Sequence, residues 1–215
     1  MEHSFIGDSI KLTLADGEPV AASSHNFRLP NGLVVTYGQI NALAGDFYGT
    51  SEPISDGSTD QDRSRRFLAA YDTLANGGPR QPKEANDILA VLQTEVDAVN
   101  NAIKHGQDPS VAYSTLPDVN VKLEAITFGR SGIPSYLGLA RINWDHFGED
   151  ARTAYNAGHA TAIQRAIEGD LEGAYTTNAF ADHFLEDSFS AGHLRTPRRF
   201  LHKPLDFTAD LCAKV

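Results

Sequence analysis

From residue 62 onward the apolar residues of this chain return every three or four positions. Phe67, Tyr71 and Leu74 share one register, and Ile88, Leu92, Val96, Val99 and Ile103 share a second, so each run suits a helix with one apolar face. The spacing predicts helices over 62–74 and 83–104, parted by Asn76-Gly-Gly-Pro79. The series continues over 119–128, 134–144, 149–167 and 170–189, with breaks at 129–132 and Gly169. Earlier in the chain the pattern is different. Residues 9–14 and 33–37 read as short strands, separated by the turn signals Asp16-Gly17 and Pro30-Asn-Gly32. Residues 36–47 open the helical part, and 49–60, loaded with Ser, Asp, Pro and Gly, reads as an exposed loop. The expectation is a mainly α, multi-helix domain with a small N-terminal β element, and no internal repeat.

Composition narrows this. With 215 residues, 41% of them hydrophobic, the chain can bury one sizeable core, so residues 1–215 are taken as one domain. It has no run of about eighteen apolar residues that could span a bilayer. Eighteen basic residues stand against 28 acidic ones, a net charge of −10, which disfavours a nucleic acid or an anionic membrane as the main partner. The single Cys212 excludes an intramolecular disulfide and a cysteine-based zinc site. Residues 1–20 show no basic stretch followed by an apolar one, so no conventional signal peptide is expected.

The chemistry concentrates in Asn178-Ala-Phe-Ala-Asp-His-Phe-Leu-Glu-Asp-Ser-Phe-Ser-Ala-Gly-His193. On a helix, His183 and Asp187 project from one face, about 5–6 Å apart at Cβ. Ser190-Ala-Gly192 reads as a helix end that swings His193 back toward them. Imidazole mixed with carboxylate favours zinc or a similar borderline divalent ion over calcium or magnesium. The plainer alternative is a hydrogen-bonded His-x3-Asp pair or a solvated face. Against it, a His, an Asp and a His beside Phe180, Phe184, Leu185 and Phe189 are costly to bury unpaired.

The spacing His-x3-Asp-x5-His, with Asp145-His146-Phe147 upstream, resembles the zinc-dependent phospholipase C and P1 nuclease superfamily, and within it the bacterial zinc metallophospholipases C. The likeness covers 143–199 and 36–48; residues 49–132 have no counterpart and read as a family-atypical helical insertion. The resemblance implies an all-α hydrolase holding up to three zinc ions. In that scheme His183 binds one zinc, Asp187 bridges two, His146 is a further ligand and His193 binds the third. Asp46, in Ala42-Leu-Ala-Gly-Asp-Phe-Tyr48, matches an upstream aspartate ligand and could serve as general base. His25, and more weakly His3, matches a histidine that shares a zinc with the N-terminal amine. Trp144-Asp-His-Phe147 also has a simpler reading, an aromatic helix end with a satisfied core histidine.

By the same resemblance the activity is hydrolysis of a phosphatidylcholine-type phospholipid to diacylglycerol and a phosphorylated head group. It implies transient contact with a membrane surface and a secreted or exported effector; the nearest rival chemistry is single-strand nuclease action. The chain departs from the family where a later His-x3-Glu or His-x3-Asp pair should complete the third zinc. His202-Lys-Pro-Leu-Asp206 is the formal candidate, and Pro204 spoils its shared helical face. Residues 208–215 read as an apolar helix without a polar ending, as if interrupted. A non-catalytic domain in which a metal only staples helices together is the alternative from a different class.

Other residues carry less. His159 reads as a core or supporting histidine, and Asp182 and Glu186, which point about 100° away from their ligand neighbours, read as solvent-facing or supporting carboxylates rather than ligands. Ser188 and Ser190 lack the strand-to-helix elbow of a serine nucleophile. Arg195, Arg198 and Arg199 form a basic cluster that reads either as a salt-bridged turn or as a phosphate contact, with Arg195 the substrate-binding candidate.

Overall fold

The amphipathic runs fold as helices close to where their periodicity puts them. A computed structural model of the chain describes residues 2–15 and 17–202. A short helix α1 (Glu2–Asp8) leads into the ribbon β1 (Lys11–Thr13) and β2 (Pro19–Ala21), then the ribbon β3 (Phe27–Arg28) and β4 (Val34–Val35). Both ribbons are antiparallel and two-stranded, with Leu12 opposite Val20 and Phe27 opposite Val35. The helices follow as α2 (Tyr37–Leu43), α3 (Asp60–Ala75), α4 (Gln81–Lys104), α5 (Pro109–Ser114), α6 (Asn120–Thr127) and α7 (Tyr136–Ala140). After them come α8 (Gly148–Ile167), α9 (Leu171–Asp187), α10 (Ala191–Arg195) and α11 (Arg198–Leu201). The fold is mainly α with a small N-terminal β element.

Helix α9 is the centre of the domain. Residues on several of its sides are buried, among them Ala174, Ala179, Phe180, Ala181 and Phe184 together with Thr176, Thr177, His183 and Asp187, as expected of a helix packed on more than one face. Asp170 caps its start by accepting from the Gly173 N–H. It pairs with α8 as a helical hairpin through a tight turn at Gly169, where φ is +89°. On α3, Phe67 and Tyr71 present ring edges to Phe180 at 5.7 and 5.8 Å. Helix α2, started by a reciprocal Thr36–Gln39 capping box, lies against α9.

Three departures from the periodicity matter for the site. The segment 134–144 is not one helix: α7 stops at Ala140 and a 3-10 turn follows at Asn143–His146. There the Asp145 carboxylate accepts hydrogen bonds from the Ile54 N–H (2.5 Å), the Ser55 N–H (3.0 Å) and the Ser55 hydroxyl (2.5 Å). This ties the turn to the 3-10 turn Ile54–Asp56. The helices α1, α5, α10 and α11 were not expected, being too short to show a period. Within 49–132, α3 shares the core with α4, through Ala85, Ile88 and Val91, and with α6, through Leu123, while α5 and α6 both pack on α4, which also meets α2. Arg130 fastens that group by donating to the Phe47 carbonyl, Glu84 and the Pro134 carbonyl. No helix among the described residues is long and apolar enough to cross a membrane. Asp206 and the apolar run 208–215 lie outside the described residues; His202 packs against the Trp144 ring at 5.2 Å.

Candidate metal centre

Asp187, the last residue of α9, is the hub. Its Oδ2 accepts a hydrogen bond from His146 Nδ1 at 2.7 Å and lies 3.5 Å from His183 Nε2. Its Oδ1 lies 3.0 Å from His193 Nδ1 and 3.6 Å from His3 Nε2. His183 Nε2 and His146 Nδ1 are 3.1 Å apart. Asp46 joins from the loop after α2, so that ligand atoms of Asp46, His146 and His183 stand within 4.8 Å of one another. Ligand atoms of His3, His183 and Asp187 do the same. Both groups of histidine and aspartate could hold a metal ion.

Local sequence explains each placement. His183 and Asp187 share a face by the one-turn rule. His146 is delivered by the 3-10 turn that Asp145 anchors. At Gly45 the chain leaves α2 with φ at +64°, a left-handed residue of the sort that favours glycine after a helix end. A Cβ there would stand 2.7 Å from His146 Cε1 and 2.9 Å from His183 Nε2, so the bare backbone lets both imidazoles close over it. His3 arrives because α1 crosses α2 at the Gly7–Gly38 contact, where a Cβ on Gly38 would meet the Ser4 carbonyl at 2.1 Å. Asp8 then accepts from the Gly38 N–H and the Thr36 hydroxyl at 2.8 and 2.9 Å, locking the crossing.

The ring nitrogens that face away from the hub are also held. His183 Nδ1 donates to the Asn41 carbonyl at 2.9 Å, which leaves the Nε2 lone pair aimed at Asp187. His3 Nδ1 donates to Glu186 at 2.8 Å, leaving its Nε2 likewise. Asn41 also donates from its side chain to Glu186 at 2.7 Å, so one asparagine and one glutamate orient two imidazoles. An N–H held by an oxygen acceptor behind a free ring nitrogen is the arrangement of metal-binding histidines. His193 Nδ1 is buried and, although 3.0 Å from Asp187, has no aligned hydrogen bond.

The electrostatics show a site that draws positive charge. Burial works against the His146 imidazolium, but the charge of Asp187 and its hydrogen bond outweigh this and push the pKa up to about 9. At His183 burial and the neighbouring His3 prevail and hold the pKa down at about 3. Burial would raise Asp187, yet the two histidines keep it well below the usual carboxylate range. His3 is raised, because Glu186 and Asp187 outweigh its burial.

The remaining sequence candidates divide. His25 is not at this centre. It contacts Glu172 at 3.1 Å, in the first turn of α9, and fifteen residues of helix put it about 22 Å from Asp187; the histidine that the fold supplies from the N-terminus is His3. Arg195 ends α10 on the surface, two residues past His193. Arg198 is buried and donates to Asn143 and to the carbonyls of Ala140 and Arg141, while Arg199 pairs with Asp150 and Asp56. Asp182 accepts from the Tyr37 hydroxyl at 2.7 Å, and Glu186 faces α1. His159 Nδ1 donates to Asn178 Oδ1 at 2.7 Å, and the ring stacks on Tyr155. Neither the Asn41 carbonyl nor Gly45 carries a sequence signal for its role here, although Gly45 and Asp46 adjoin.

Beside Asp46 and His3 the surface opens into two adjoining hollows of about 460 and 490 Å³, walled by α1, α4, α5 and the start of α6. In comparisons with known proteins, no family model, no curated protein and no solved structure matches the chain. The reading of its function therefore rests on the residues and their geometry.

Proposed function

We propose that this protein is a zinc-dependent phosphodiester hydrolase, acting as a phospholipase C on phosphatidylcholine-type lipids. The observation that carries the reading is the pair of imidazoles, His183 and His3, whose Nδ1–H groups are held by Asn41 and Glu186 while both Nε2 atoms converge on the Asp187 carboxylate. The mixed nitrogen and oxygen donors suit zinc. Asp46, His146, His183, Asp187, His193 and His3 would hold it. Bound zinc would supply positive charge for the phosphate and lower the pKa of water toward about 7.

The chain itself does the positioning. Asn41 and Glu186 fix the imidazole planes, Asp145 fixes the turn that presents His146, and the Gly45 backbone keeps His146 and His183 in contact. Asp46 borders both the cluster and the open hollows, which makes it the carboxylate placed to accept a proton from the attacking water. In the reaction the water oxygen bonds to phosphorus, the bond from phosphorus to the glycerol oxygen breaks, and that oxygen takes up a proton as diacylglycerol leaves. Arg195, exposed beside His193, is the cation nearest in sequence for a phosphate oxygen. The helices that wall the hollows carry the exposed apolar residues Phe5, Ile6, Val111 and Val121, which suits transient contact with a lipid surface.

Nuclease chemistry is the weaker fit. Glu2, Asp46, Glu95 and Asp118 line the hollows with no lysine or arginine among the described lining residues, an arrangement that repels a polyphosphate strand. Metal analysis by mass spectrometry, paired with phosphatidylcholine turnover with and without chelator, tests the proposal. The expected result is one to three zinc ions per chain and turnover that chelation abolishes. Stoichiometric zinc without turnover would instead establish a structural metal that staples the helices.

A further inference from the structure

Two of the basic residues after His193 are turned inward, onto the segment that presents His146. That segment is weak by itself. The 3-10 turn Asn143–His146 has four residues and no side-chain cap at Ile142, and its closing bond runs from the Phe147 N–H to the Trp144 carbonyl at 2.9 Å. Short 3-10 turns have poor hydrogen-bond geometry, so contacts from outside decide where His146 stands. Helix α11 supplies them on both sides. Arg198, 1% exposed, donates from Nε to Asn143 Oδ1 at 2.8 Å and from Nη2 to the carbonyls of Ala140 and Arg141 at 3.0 Å. It thereby takes up carbonyls that the end of α7 leaves without helical partners. Arg199 reaches the other side. Its guanidinium donates to Asp150 in the first turn of α8 at 2.8 and 3.1 Å, to Asp56, and to the Ser55 hydroxyl at 2.9 Å, and it lies over the Trp144 ring at 5.1 Å. The Ser55 hydroxyl in turn donates to Asp145, and Trp144 Nε1 donates to Asp56 at 3.1 Å.

We infer that Arg198 and Arg199 are positioning residues for the metal centre: docked α11 clamps the turn 143–146 and so holds His146 Nδ1 at 2.7 Å from Asp187. Each arginine acts through the turn and not as a ligand. Asp56 and Asp150 come from different elements and repel each other, and the shared guanidinium lets them stand together. Arg199 is 39% exposed, and a lone ion pair at that exposure contributes little. A planar fork that binds one carboxylate with two nitrogens, then a second carboxylate and a hydroxyl, is a network instead, with a geometry that lysine does not reproduce. The connectivity adds to the effect. One stretch of chain supplies His183, Asp187 and His193, then turns back to fasten the turn that carries His146, so undocking α11 loosens ligands on both sides of the centre. The basic cluster is thereby divided, with Arg198 and Arg199 engaged by the protein and Arg195 left at the surface. The inference rests on the zinc reading only for its metal readout.

The test compares the full chain with Arg198→Lys, Arg199→Lys, Asp150→Asn and the last two combined, beside Tyr71→Phe as a control. Lysine keeps the charge but cannot span the partners of either arginine, and Asp150→Asn loosens Arg199 without altering α11. Arg198 is buried and its variant tests the fold as well; Arg199 and Asp150 are partly exposed, so their variants decide if Arg198→Lys fails to fold. Tyr71→Phe removes a buried hydrogen bond to Thr176, about 16 Å along α9 from Asp187. The readouts are zinc affinity against a chromophoric competitor and amide hydrogen exchange at Ile54, Ser55 and Phe147 in chelator. Each clamp variant should weaken zinc roughly 10- to 100-fold, the range for losing a group that orients a ligand, and should speed exchange at those amides. The combined variant should be no worse than about the worse single one, because both act through one clamp. Tyr71→Phe should lower the melting temperature and leave zinc affinity as in wild type. Wild-type zinc affinity in Arg199→Lys and Asp150→Asn overturns the inference. Weakened zinc with unchanged exchange overturns it too, since the effect then does not pass through the turn, and so does an equal loss of affinity in Tyr71→Phe. A wild-type chain that binds no zinc refutes the zinc reading, and the amide exchange alone then decides whether α11 holds the turn.

Discussion

Gly45→Ala puts the smallest side chain into the contact that closes the centre. The added Cβ would lie 2.7 Å from His146 Cε1 and 2.9 Å from both Cδ2 and Nε2 of His183. To reach the 3.4 Å of an ordinary contact, the gap to His146 must widen by about 0.7 Å and that to His183 by about 0.5 Å. Metal–ligand distances tolerate only about 0.2 Å. Neither ring can retreat freely, since His183 is tied to Asn41 and His146 is walled in by Phe184. Losing one orienting partner usually costs roughly 10- to 100-fold in metal affinity, so displacing two ligands should cost on the order of 100-fold or more. The left-handed backbone at φ +64° adds about 1–2 kcal/mol for an alanine. In a chain of this size that lowers the metal-free melting temperature by roughly 2–8 °C. Zinc titration against a chromophoric competitor and calorimetric melting in chelator separate the two effects. Zinc affinity within threefold of wild type, with the melting temperature down as stated, would refute the claim that Gly45 shapes the centre.

Asp187→Asn should abolish phospholipid turnover with the fold retained, whereas Asp182→Asn, which disturbs the Tyr37 hydrogen bond, should keep turnover within roughly tenfold, about 1.4 kcal/mol of barrier; initial rates at saturating zinc decide. His3→Ala should reduce the zinc content or affinity measured by mass spectrometry, and His25→Ala should leave both unchanged. Zinc at about 100 times its dissociation constant should stabilise the fold by about 2.7 kcal/mol, a rise of roughly 5–10 °C that chelator removes. The metal-free chain should lose stability as pH rises from 6.5 toward 9. His146 is raised in the fold from 6.5 to about 9, so its contribution is complete below 6.5 and gone above 9, up to about 3 kcal/mol; urea denaturation in chelator at pH 6 and pH 9 measures it.

The long helices were legible because a period needs length to show. Residues 60–75 and 81–104 form α3 and α4 with Phe67, Tyr71, Leu74 and Ile88 buried as their spacing requires. Helix α1 was not, since seven residues give less than two full turns and Glu2–Asp8 carries no apolar stripe. Its place is set by what lies across from it, the Gly7–Gly38 crossing and the Asp8 hydrogen bonds, and such long-range contacts leave no local signal. The same gap explains the histidines. His183, Asp187 and His193 follow from local spacing, and His146 from the Asp-His-Phe motif, but choosing His3 over His25 demands knowing which end of α9 each meets. Glu186, turned about 100° from Asp187, reads as solvent-facing or supporting, and which of the two it becomes depends on α1, which covers that face and brings His3 Nδ1 to it at 2.8 Å. The fold thus converts a nominally outward carboxylate into the acceptor that orients His3.

Why this cluster should take a cation at all follows from where the helices end. Both α2 and α9 run their C-termini toward the site, finishing at Leu43 and Asp187, and the carbonyl end of a helix carries about half a negative charge that favours cations nearby. Asp46 and Asp187 add two full negative charges, against imidazoles of which His183 is held neutral by burial. Without a metal, the balance is restored by protons on His146 and His3, the two groups whose pKa values are raised. A divalent ion and these protons are therefore competitors for the same place. An apolar core gains nothing from such an arrangement, because each buried charge needs its partner to be tolerated. The converging helix ends, the central carboxylate and the two imidazoles oriented from behind are each explicable alone as structure; together they gather His and Asp ligand atoms at one place that could hold a metal ion, where that ion and the protons of His146 and His3 would compete.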